Sequence, residues 1–213
     1  MSPVDIGAGR TYRGVKPQER QDVRRSQLVD AAVEVFGTTG YRTATVGKIC
    51  ATAGLTKRYF YESFDDSEAL LLEAYRYATD RLRASVERAA GTDTARTEST
   101  VEDVLFNFFR TIAEDPRLAR IAFFEILGVS NDVDRVYRRV TGSFVDTIIA
   151  VNLGAFERST VPLQHRQTVA TGLVGAVLLM AQQWVLSGYA QPIESVVHSA
   201  AAIFTAVFGQ QDR

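Results

Sequence analysis

Between Gln167 and Gln211 the chain carries a single formally charged side chain, Glu194. Helices built from such a stretch must be shielded from water on most sides. Two arrangements do that: a hairpin in a bilayer, or helices covered on one face by their own domain and on the other by a second copy of the chain. Thr168, Thr171, Gln182, Gln183, Ser187 and three glycines interrupt the apolar run before it reaches the ~20 residues a bilayer requires. No membrane is therefore expected as a partner. Gly172, Gly175, Ala176, Ala200, Ala201 and Ala202 allow helices to approach closely, and the pattern predicts a four-helix seam between two copies, made from about 163–187 and 192–208.

The rest of the composition narrows the class. With 213 residues, 46% of them apolar, the chain can fill one large or two modest cores. Its lone cysteine, Cys50, cannot close an intramolecular disulfide, and the opening MSPVDIGAGR has no basic-then-apolar leader. A secreted, bridge-stapled fold is excluded on that reading, and the cytoplasm is the expected compartment. Five prolines and the lack of any Asn-Gly or Asp-Gly turn argue against a chain of tight β reversals, so an all-α fold is expected. The net charge of −1 hides an asymmetry. Residues 1–64 hold ten Lys or Arg against six acids, and all three lysines, Lys16, Lys48 and Lys57, lie there. A basic first third and an acidic remainder suggest two domains with different partners.

The periodicity supports about nine helices. Residues 1–19 have little to bury and read as a flexible basic arm carrying Arg10, Arg13 and Lys16. Val23, Leu28, Ala31, Ala32, Val35 and Phe36 form the inner stripe of a helix from Arg20 that stops before Gly37. Thr45 is placed to cap a short helix with Val46, Ile49, Cys50 and Ala53 inside, ended by Gly54, and Thr56 to cap another running through Tyr61. About three residues separate these two, which is helix-turn-helix spacing. Asp65 and Glu68 then resemble a capping box for a long helix to about Ala90. After a loop at 91–97, helices are predicted over about 98–114, on to Gly128, over about 131–158, and from Pro162. The resulting domains are 20–66, a three-helix unit with a helix-turn-helix, and 67–213, a helical unit.

The series Leu28-Val29-Asp30-Ala31-Ala32, Phe36, Gly40-Tyr41, Thr45-Val46, Ile49, Ala53-Gly54-Leu55-Thr56, Tyr61, Phe64 and Glu68-Ala69-Leu70 resembles, in order and spacing, the DNA-binding domain of the tetracycline-repressor (TetR) family of bacterial transcriptional regulators. The resemblance covers roughly 24–70, while the second half agrees in architecture only. It implies a DNA-binding domain at 20–66, a ligand-binding and dimerisation domain at 67–213, and a dimer that binds a near-palindromic double-stranded operator, mainly as a repressor, and is released by a small molecule. DNA contacts are implied at Thr45, Lys48, Thr56, Lys57, Arg58, Tyr59, Tyr61 and Ser63. The start of the second helix of the motif reaches base edges, where Lys57 and Arg58 can donate to guanine O6 and N7 and Tyr59 or the Thr56 methyl can pack on thymine. Tyr61 matches a family tyrosine that contacts phosphate, and Thr45 with Lys48 forms a second backbone site. Ser67 stands where many members carry lysine, and Gly47 where some read a base. The arm then offers its cations to an adjacent minor groove.

Other signals have plainer readings. Arg24 and Arg25 fit either a solvated face or phosphate contacts. Cys50 reads as a packed thiol, and His165 and His198 have no partner at metal spacing. The resemblance implies a cavity among Phe109, Phe124, Tyr137, Phe144, Met180 and Trp184 for a hydrophobic or aromatic effector. No nucleophile elbow, P-loop, dinucleotide turn or zinc motif is present, so an enzyme is not expected, nor a metal or cofactor. The alternative class is a helical ligand-binding or scaffold protein without DNA binding, which salt-dependent duplex binding discriminates.

Overall fold

A computed structural model describes residues 17–91 and 100–209. The arm cations Arg10, Arg13 and Lys16 and the segment 92–99 lie outside the described residues. Those that are described form ten α-helices and no strand. The first, α1 (Pro17–Thr39), buries Leu28, Ala31, Ala32, Val35 and Phe36, a stripe at helical spacing. Val23, expected on that stripe, is 56% exposed; among the described residues, the first of α1 to be fully buried is Leu28. The helix also runs through Gly37 instead of stopping there. Gly37 faces the later helix α6 (Pro116–Arg120), and a Cβ at this position would overlap the Cβ of Arg117. Its missing side chain therefore serves a close crossing of two helices, and the helix ends two residues on, at Thr39.

Two short helices follow as the spacing predicts. α2 (Val46–Ala53) is capped by Thr45, whose Oγ1 accepts the Lys48 N–H at 3.2 Å, and stops at Gly54 with φ +67°, a left-handed turn that glycine adopts without strain. α3 (Lys57–Ser63) starts after Thr56, whose hydroxyl makes no cap bond. Ile49, Cys50 and Phe60 anchor both helices to α1. Burial pushes the Cys50 thiol up from its ordinary value, in keeping with a packed, unreactive side chain. The long α4 (Ser67–Ala89) is capped by Asp66, which accepts the Ala69 N–H at 2.7 Å, and not by Asp65. With Asp66 as the cap, Glu68 falls at the second helical position and not the third, so no capping box forms, and its Oε1 accepts the Ser130 hydroxyl at 2.7 Å.

The second half departs from the expected boundaries at three places. α5 (Val101–Glu114) begins at a capping box of Thr100 and Asp103, so the helix starts later than Glu98. After α6, residues Ile121–Glu125 wind as a π-helical turn. α7 (Asn131–Val151) is separated from α8 (Leu153–Arg158) by Asn152, which has left the helical region and turns its amide onto the Ile148 carbonyl at 3.0 Å. Pro162 introduces a 3-10 turn, and α9 (Arg166–Leu186) starts after it; α10 (Ile193–Phe208) completes the chain.

One apolar core runs from Leu28 and Phe36 in α1, through Leu70, Leu71 and Tyr75 in α4, to Ala181 and Trp184 in α9 and Phe204 in α10. A satellite cluster joins Val145, Phe156, Ala170 and Val174. Leu163–Leu186 is long and apolar enough to cross a membrane, but Ala170, Leu173, Val174, Val177, Ala181 and Trp184 bury one face of α9 in this core. Its other face remains open, as do parts of α10: Leu163, Leu179, Leu186 and Ile203 are exposed.

Candidate functional site

The helix-turn-helix fixes where each expected DNA contact stands. Thr45, Lys48, Thr56, Lys57, Arg58 and Tyr61 are exposed, while Tyr59 and Ser63 are half-buried. Tyr61, at 61% exposure, is a large aromatic ring left in solvent beside the buried Phe60, with which it makes an edge-to-face contact at 5.2 Å. Lys48 Nζ lies 3.5 Å from the Thr39 hydroxyl at the end of α1. The stem of Lys57 passes beside Gly47, leaving 3.7 Å from its Cε to the place a Cβ would occupy. A Cβ at 47 would make ordinary contact there, so the lysine of α3 lies against α2 whether or not this position is glycine.

Two arginines of α1 join this surface. Arg24 stacks over the Tyr59 ring at 4.2 Å and reaches Glu62 at 3.5 Å. Glu62 also holds Arg58, Oε1 to Nε 2.8 Å, across one turn of α3. One carboxylate therefore restrains two cations on the face that carries the reading residues. The sequence pattern did not single out Glu62, although its i, i+4 spacing from Arg58 was a visible signal. Arg25 is different: it donates to the Ser63 carbonyl at 2.6 Å, pairs with Glu73 at 3.0 Å and covers Phe64. It ties α1 to the end of α3 and to α4, so its first role is structural.

Behind the head, α6 and the π-helical turn supply a polar junction. Arg117 bridges Asp115 at 2.7 Å and Glu34 of α1 at 2.6 Å. Arg120 donates to the Thr38 carbonyl at 2.7 Å and to Glu125 at 2.8 Å. The other oxygen of Glu125 accepts the Tyr41 N–H at 2.7 Å. Tyr41 opens the 3-10 turn Tyr41–Thr43 that leads to the Thr45 cap. Hydrogen bonds thus connect the π-helical turn to the entrance of α2.

Two cavities lie in the helical body. The larger, about 250 Å³, is bounded by the end of α4, the start of α5, α7 and α8, and the inner faces of α9 and α10, with Val86, Val104, Phe108, Phe144, Ile148, Val177 and Phe204 among its walls. The smaller, about 20 Å³, sits between Tyr75, Phe108, Tyr137 and Phe144 and includes Ala122 and Phe123 of the π-helical turn. Of the aromatic and Met residues expected around a cavity, Phe144 lines both and Tyr137 the smaller. Phe109, Phe124, Met180 and Trp184 line neither. Phe109 and Trp184 pack edge-to-face at 5.7 Å in the core, and the indole N–H is taken by the Gln191 carbonyl at 2.8 Å.

A helix-turn-helix head with exposed cations, joined to a helical body that holds an apolar cavity, defines a DNA-binding regulator. Residues 28–74, the helix-turn-helix and the start of α4, match the family model of bacterial regulatory proteins of the tetR family. The chain is 27% identical over 79% of its length to an uncharacterised HTH-type transcriptional regulator, YdgC, of Bacillus subtilis, covering 84% of that protein. It is 29% identical over 77% of its length to the HTH-type transcriptional activator FasR of Mycolicibacterium smegmatis, covering 73% of it. The fold is shared with the transcriptional regulator FadR of Bacillus subtilis, solved in complex with stearoyl-CoA, at a TM-score of 0.69 and 18% identity, over 87% of this chain and 99% of that one.

Proposed function

We propose that this regulator acts as a homodimeric repressor whose two heads occupy successive major grooves of a near-palindromic operator, about 34–36 Å apart. The observation that carries the reading is the exposure of Thr56, Lys57, Arg58 and Tyr61 together at one helix of a correctly spaced motif. Lys57 and Arg58 read guanine edges; Thr45, Lys48, Tyr61 and Ser63 meet phosphates, with Tyr59 supporting Arg24. The copies meet through α9 and α10. In support, four of the eight large apolar side chains left exposed among the described residues fall in 163–203. Their partner is a second, equally uncharged face.

The larger cavity takes the effector, and its apolar walls suit a hydrophobic molecule. The ligand biases the body between two arrangements, and the π-helical turn passes that bias through Glu125 and Arg120 to Tyr41 and Thr38. Release of DNA requires the effector to favour the non-binding arrangement by several kcal/mol. A relative that activates transcription raises a second reading, in which the same dimer lies upstream of a promoter instead of across it. Genomic footprinting with the purified protein tests both at once. Occupied palindromes overlapping promoters are expected; occupied sites upstream of them favour activation, and no enriched consensus removes the proposal.

A further inference from the structure

We infer that the larger cavity is built for an anionic amphiphile, an unbranched apolar chain of medium length ending in a carboxylate or phosphate group, with Arg158 as the anchor of the head. The inference rests on the reading of this cavity as the effector site and adds the chemistry of its occupant. Arg158 lines the cavity at the end of α8 and is exposed there. Among the described residues its guanidinium has no ion pair and no hydrogen bond, whereas Arg83, Arg117, Arg120 and Arg166, on or near the same helices, are each engaged by an oxygen. Gly154, one turn earlier, leaves the seat for it: Nη1 stands 3.3 Å from where a Cβ at 154 would be. An arginine at the wall of an apolar cavity, paired with no acid among the described residues, offers its donors to an anionic head group.

The walls select the rest of the molecule. Val104, Phe108, Val177, Leu178 and Phe204 give the interior no charge to compete for the head group. The two helices that form its far side belong to the stretch whose only formal charge is Glu194, which is not among the lining residues. A volume of about 250 Å³ holds about eight groups of water or methylene size, at ~30 Å³ each. That length points to chains of eight to ten carbons, roughly, with the first carbons at the arginine.

Calorimetric titration of the full chain with hexanoate, octanoate, decanoate, decan-1-ol and decanoyl-coenzyme A tests this directly, without DNA. Saturable binding of decanoate is expected, tightening about fourfold per methylene along the acid series. Arg158→Gln is expected to weaken decanoate at least about tenfold and leave decan-1-ol unchanged, while Arg158→Lys retains most of the affinity. Decanoate tighter than its thioester assigns the head to a carboxylate, the reverse order assigns it to phosphate, and both keep the anionic anchor. Decan-1-ol binding as tightly as decanoate, an unchanged Arg158→Gln, or no saturable binding of any acid overturns the inference. Operator release measured separately distinguishes the two levels. Arg158-dependent binding that leaves DNA affinity untouched removes the effector reading alone; release that ignores Arg158 removes the anchor alone.

Discussion

Arg58 meets Glu62 through Nε, which leaves its terminal nitrogens for a base edge while the carboxylate offsets its charge. In the free protein its guanidinium is 2.8 Å from that carboxylate, and Arg24 shares the same acceptor at 3.5 Å. Glu62→Gln therefore should raise affinity for all duplexes and steepen the salt dependence by about one to two phosphate equivalents, with a smaller gap between specific and random DNA. An unchanged salt slope in a binding titration would show that neither arginine reaches the duplex. Lys57→Ala and Arg58→Ala should each cost about 1–3 kcal/mol of operator binding and relax preference at one base position, while Tyr61→Phe weakens every sequence alike. Selection from randomised oligonucleotides separates these outcomes. The positions of Lys57, Arg58 and Tyr61 were legible because helix-turn-helix spacing leaves few places for them. The restraint by Glu62 was not, since i, i+4 pairs occur on any solvated helix. Arg25 was ambiguous for a related reason: only the fold brings the Ser63 carbonyl and Glu73 to it.

Elements were legible where periodicity and caps coincide, as for α2 with Thr45 and Gly54. They were misjudged where one residue had two uses. Gly37 has the look of a helix stop, yet it is the point where α1 meets α6. Gly37→Ala, which would stabilise an exposed helix, should here destabilise the protein by about 1–3 kcal/mol in urea denaturation, because the two helices must separate. A gain in stability would mean that the crossing is loose. The start of α5 gives an acid-dependent counterpart. Hydrogen bonds from the Thr100 backbone and hydroxyl hold the Asp103 carboxyl below its ordinary value of 3.8. A lowered carboxylate stabilises the fold above the ordinary value and loses that contribution as pH falls through its folded value. Asp103→Asn should thus lower the melting temperature at neutral pH, with the deficit shrinking below about pH 4. A deficit independent of pH would contradict the charged cap. The cavity lining was legible only in part: Phe144 stands in its wall, whereas Phe109 and Trp184 fill space against each other in the core, a difference that only the packing decides.

For the molecule as a whole, the decisive surface is the uncharged outer side of α9 and α10. Leu179 and Leu186 stand two turns apart there, 57% and 65% exposed. The double variant Leu179→Glu with Leu186→Glu places like charges at the centre of the proposed seam. It should sediment as a monomer and lose high-affinity operator binding, while its circular dichroism stays helical. A monomeric wild type, or a double variant that still pairs, would refute the seam. The helical character of the body was legible in the sequence, but the division of each helix between an inner cavity and an exposed outer face was not. Val177 and Phe204 face the cavity from the very helices that bear Leu179 and Ile203 outside. In the proposed dimer such a shared partition would make occupancy and pairing reciprocal. A guest that wedges the inner side apart would alter how the twin is held, so its apparent affinity would vary with protein concentration, and the first guest would set the terms for the second.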